Sequence, residues 1–102
     1  MLYGLNESNN PRLFERVYVN GAAGVFERIH LNRPVTMIVC SVKQGAVDIF
    51  IGGNPAGRLV PDYHFGQTNR PECSPYAGAP GEVYCVAAGV GNTLASVAFG
   101  GP

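Results

Sequence analysis

Tryptophan is absent, lysine occurs once (Lys43), and charged residues make up only 14% of the 102-residue chain. That is well below the quarter usual in soluble domains. The arginines are scattered at Arg12, Arg16, Arg28, Arg33, Arg58 and Arg70, and seven acidic residues cancel seven basic ones. Nucleic acid is not expected as a main partner, because holding phosphates needs clustered cations. No run approaches the ~18 apolar residues of a membrane-spanning helix, so no membrane partner is expected either. The opening Met1-Leu2-Tyr3-Gly4-Leu5-Asn6 has neither a basic segment nor a continuous apolar stretch, and does not read as a secretory signal. The cysteines are Cys40, Cys73 and Cys85, an odd number with no C-x-x-C pair. They read as reduced thiols of a protein made in cytoplasm, not as a disulfide framework.

What the chain has in quantity is apolar residues, at 46%, together with 14 glycines and 8 prolines. The apolar content calls for a packed core, and the length suits one domain. Gly and Pro interrupt the chain too often for a helical period to survive. The runs between them are short and rich in β-branched and aromatic residues, which predicts strands. Seven are expected: Leu13–Val19, Val25–Leu31, Val35–Val42, Ala46–Ile51, Arg58–Val60, Glu82–Ala88 and Leu94–Phe99. So many short strands imply an all-β fold, an antiparallel β-sandwich or small barrel. Residues 1–12 read as an N-terminal arm and 13–102 as the β domain.

Two segments echo each other twelve residues apart, Leu13-Phe14-Glu15-Arg16-Val17-Tyr18-Val19 and Val25-Phe26-Glu27-Arg28-Ile29-His30-Leu31. With Asn20-Gly21 between them, the local reading is a hairpin in which Arg16 faces Glu27 and Glu15 faces Arg28. Both of its faces carry apolar residues, so a second cover, such as another subunit, is expected. Val35–Val42 is apolar on both sides and reads as a central strand. Lys43-Gln44-Gly45 turns it into Ala46–Ile51, which is expected to pair with it.

Groups able to do chemistry are sparse. Asp62, His64 and Cys73 supply half of a zinc pattern, which normally needs two ligand pairs. His64 reads more simply as a hydrogen-bonded loop histidine. Cys73 and His64 are the one Cys/His pair in a single loop, the serines lack a G-x-S-x-G setting, and Gly89-Val90-Gly91 lacks the third glycine and following helix of a dinucleotide site. No enzyme activity, metal or other cofactor is expected. Binding has better candidates. Residues 61–81 form a long Pro- and Gly-rich stretch, read as a loop carrying Tyr63, Phe65, Arg70 and Tyr76. Aromatics and Arg are the usual anchors of protein interfaces. The same aromatics could instead turn inward and plug one end of the sandwich. Leu2, Tyr3 and Leu5 form an apolar tip on the arm, either ordering on a neighbour or fraying.

Three stretches resemble the small virion proteins of tailed bacteriophages, above all head decoration or cement proteins. They are the Arg33-Pro34-Val35-Thr36-Met37-Ile38-Val39 entry to a central strand, Val47-Asp48-Ile49-Phe50-Ile51-Gly52, and Glu82-Val83-Tyr84-Cys85-Val86-Ala87 before a closing strand. The similarity is one of pattern over roughly residues 30–60 and 80–99. It implies a β-sandwich or barrel, often a homotrimer, that is made in the host cytoplasm and ends in the virion. There it would bind the major capsid protein or other virion proteins and reinforce the head. No catalytic residue carries over. Alternatives are a carbohydrate-binding β-sandwich module or a tail or host-attachment component, with a small hydrolase the weakest.

Overall fold

A computed structural model describes residues 12–53, 60–66, 68 and 70–102. Among these residues are eight strands: β1 (Arg12–Gly21), β2 (Phe26–Leu31), β3 (Val35–Gln44), β4 (Val47–Ile51), β5 (Tyr63–Phe65), β6 (Glu72–Gly78), β7 (Glu82–Ala88) and β8 (Thr93–Gly101). They form two four-stranded antiparallel sheets, ordered β1-β8-β3-β6 and β2-β7-β4-β5. The fold is thus an all-β sandwich.

The pairing has a simple logic. β1 pairs with β8, β2 with β7, β3 with β6 and β4 with β5. This is one long hairpin, bent at β4–β5, whose arms are then rolled so that β3 also meets β8 and β4 meets β7. Only the β4–β5 connection stays within a sheet; every other one crosses between sheets. Such a rolled double-sheet topology is a jelly roll.

Alternation along the strands builds the core. Val17 and Val19 of β1, Ile38, Cys40 and Val42 of β3, and Val97 and Phe99 of β8 point inward from the first sheet. Val47, Ile49, Tyr84 and Val86 meet them from the second. A smaller apolar cluster of Phe50, Cys85 and Ala87 lies apart, on the outer face of the second sheet.

Three expectations are corrected. The hairpin of β1 with β2 does not form. Val17 lies against Val97 and Glu27 against Val86, so the echoing segments are edge strands of opposite sheets. A cross-strand ion pair is worth at most about 1 kcal/mol, less than burying an apolar strand face. The arch between them is fixed to β7 instead, with Gly24 N–H donating to Ala88 O at 3.1 Å and Ala88 N–H to Val25 O at 2.8 Å. Likewise β3 and β4 sit in different sheets. Third, the stretch 61–81 is not a loop, since it contains β5 and β6. Of the expected strand Arg58–Val60, residues 58 and 59 lie outside the described residues, and Val60 is exposed.

Candidate binding surfaces

The two open sides of the sandwich are finished differently. On one, edge strands β5 and β6 face each other, and their aromatics turn inward. Tyr63 stacks on Phe65 with centroids 6.3 Å apart and meets Tyr76 edge-on at 5.9 Å. Tyr76 continues edge-on to Tyr84, and Tyr84 packs at 5.0 Å on Phe99. Both Tyr76 and Tyr84 donate their phenolic O–H to Glu82 Oε1, and Tyr63 donates to Pro75 O at 3.2 Å. Burial first, then the Glu82 carboxylate, push the Tyr76 and Tyr84 phenols well above the usual tyrosine range, so both stay protonated donors. This side is sealed.

Of the residues singled out in the sequence, Tyr63, Phe65 and Tyr76 therefore belong to this seal, and Phe65 is only 5% exposed. Arg70 is exposed, on the rim of a groove over the first sheet. Leu2, Tyr3 and Leu5 lie outside the described residues. Asp62, His64 and Cys73 do not converge. Asp62 accepts from Ile51 N–H at 2.6 Å, and His64 Nδ1 lies 2.6 Å from Asp48 Oδ1 on the outer face of the second sheet. Cys73 lies opposite Val39 in the first sheet. Among the described residues no three His, Cys, Asp or Glu side chains are grouped to hold a metal. The buried thiols are held protonated. Burial, aided by Glu72, pushes Cys40 up to about 12, and burial raises Cys85 against the opposing pull of Arg28.

By the other side, at edge strand β2, Phe26 and Arg28 face outward on the second sheet, in register with Ala87 and Cys85, and Val25 precedes them. Val25 and Phe26 are each about half exposed, at 49% and 46%, and the Arg28 guanidinium lies over the Phe26 ring at 5.8 Å. With Tyr18, Asn20 and Glu27 they border a small cleft of about 130 Å³. Sequence reading found apolar residues on both faces of Val25–Leu31 and expected a second cover for them, but it placed the strand in a hairpin with β1 and did not single out Phe26 or Arg28. The signal was present: Phe26 and Arg28 alternate with Glu27 and Ile29, so one face of β2 always carried the aromatic and the guanidinium together.

The second surface is the outer face of the first sheet. Tyr18, Ser96 and Ser41 lie side by side across β1, β8 and β3. They border a shallow groove of about 450 Å³ with Lys43, Arg70 and Leu94. Comparisons with family models, curated proteins and solved structures find no match to this chain.

Proposed function

We propose that this chain is a non-enzymatic virion structural protein that binds the capsid lattice through the β2 edge of the second sheet's outer face and reinforces the head. The observation that carries the reading is the Val25–Phe26 patch with Arg28 stacked on it. An aromatic and an arginine at the centre of an apolar patch have the composition of an interface hot spot. A neutral chain with few charges suits permanent assembly, since it has little self-repulsion to keep copies apart. The jelly-roll order is also one that viral capsid domains use, which supports the reading by analogy of fold alone. On this reading the partner is the major capsid protein or another virion protein, and the chain acts as an oligomer, with a trimer following from the resemblance.

The test compares particles assembled with the protein, without it, and with Phe26→Ala. Heating is followed by genome release. Particles lacking the protein should open at lower temperature, and Phe26→Ala particles should behave like them. Truncating a hot-spot aromatic removes about 2 kcal/mol or more of binding, a loss of at least about thirtyfold in affinity. Equal heat resistance in all three preparations would refute the proposal.

A further inference from the structure

The geometry points to a second site: the groove on the outer face of the first sheet binds an acidic sugar, a pyranose ring that carries a carboxylate. Three properties of the groove lead there.

The first is an aromatic platform. Tyr18 is 74% exposed in the middle of a ten-residue strand, where its ring lies open to a ligand. An aromatic in that position offers a flat apolar surface with a hydroxyl at its edge, which fits the mixed surface of a sugar. The second is the direction of the hydrogen bonds. Ser96 Oγ accepts from Arg16 Nη1 at 3.2 Å, which leaves its own proton to donate outward. Ser41, in the same cross-strand row, is exposed and adds a second hydroxyl. The third is charge. Lys43 is an exposed cation on the rim, and Arg70, which also makes an interaction of its own, is a second. Platform, hydroxyl row and cations together ask for a ring with hydroxyls and an anionic group.

The alternatives fit less well. Nucleic acid needs a longer run of cations than two. A strand-adding peptide needs a free sheet edge, whereas β8 and β3, which floor the groove, are interior strands. The volume of about 450 Å³ suits one or two sugar rings. The site does not depend on the capsid reading and uses neither Val25 nor Phe26.

Calorimetric titration of the full chain tests the assignment. The probes are an oligogalacturonate, sialyllactose, a neutral malto-oligosaccharide of matched length and inorganic phosphate. At least one of the two acidic sugars should bind, the neutral one at least about tenfold more weakly. Tyr18→Ala and Lys43→Gln should each weaken acidic-sugar binding about tenfold, whereas Phe26→Ala leaves it unchanged. Tyr18 and Lys43 are exposed, so both variants should keep the wild-type circular dichroism spectrum. No binding of either acidic sugar at millimolar concentration would overturn the assignment. So would equal binding of the neutral sugar, phosphate binding as tight as the sugar's, or affinities that Tyr18→Ala and Lys43→Gln leave within about twofold.

Discussion

At Gly45 the backbone runs at φ +85°, where side chains are strained, and a Cβ would stand 2.4 Å from Thr93 Oγ1 and 2.8 Å from Thr93 Cα. Thr93 cannot withdraw, because it is buried and its hydroxyl oxygen lies 3.1 and 2.8 Å from the carbonyls of Ala46 and Val90. The same oxygen accepts from Ala46 N–H at 3.3 Å. Gly45→Ala should therefore cost about 3 kcal/mol or more in thermal unfolding, strain and clash together. Gly52, at φ +99° with open space around it, supplies the control. Gly52→Ala carries the strain alone and should cost about 1 kcal/mol. Cys40 offers a second residue-scale prediction. Its folded thiol is pushed from the ordinary 9.0 up to about 12. Below pH 9 the thiol is protonated whether folded or unfolded, so its contribution is intact. Between pH 9 and 12 the unfolded chain releases the proton and the folded chain does not, so stability falls as pH rises. Urea unfolding at about pH 7 and about pH 10 should show the drop, and Cys40→Val should reduce it.

Among the strands, the aromatic seal is the feature whose energetics are most open to test. Tyr76 and Tyr84 share one acceptor, Glu82 Oε1. Tyr76→Phe keeps the ring contacts and removes one charge-assisted hydrogen bond, a loss of about 1.5–3 kcal/mol. Tyr63→Phe removes a neutral bond to Pro75 O near the surface and should cost about 1 kcal/mol or less. Similar losses in both variants would show that Glu82 does not organise this side. The same strands mark the limit of what the sequence reveals. Val35–Val42, Glu82–Ala88 and Leu94–Phe99 could be read because they are short apolar runs bounded by Gly, Pro and Asn turn signals. β5 has only three residues, and β6 carries Pro75 inside it, a residue tolerated there because β6 is an edge strand. Edge status is a tertiary property, so composition alone made 61–81 look like a loop. The aromatics in it could be named as important, but their inward direction depends on β5 and β6 facing each other across the sandwich. The Glu15–Arg16 and Glu27–Arg28 echo misled for the opposite reason: a local charge match was legible, and the distant partners Val97 and Val86 that outweigh it were not.

For the whole molecule, the two proposed surfaces differ in the force that would drive binding, and salt separates them. The chain is neutral overall, so no long-range field steers or repels a partner. At the β2 edge of the second sheet the exposed groups include Val25, Phe26 and the stacked Arg28, and attachment there rests on removing apolar area from water. In the groove the selectivity rests on Lys43, an exposed cation whose attraction falls as the Debye length shrinks from about 10 Å near 0.1 M salt to about 3 Å near 1 M. Raising sodium chloride across that range should leave retention of the protein on particles within about twofold, while its affinity for an acidic sugar drops by about tenfold. Cosedimentation with particles reads the first quantity and calorimetry the second. Loss of both together would mean that a single charged surface serves both ligands, and the division of the sandwich into an apolar side and a cationic face would have to be abandoned.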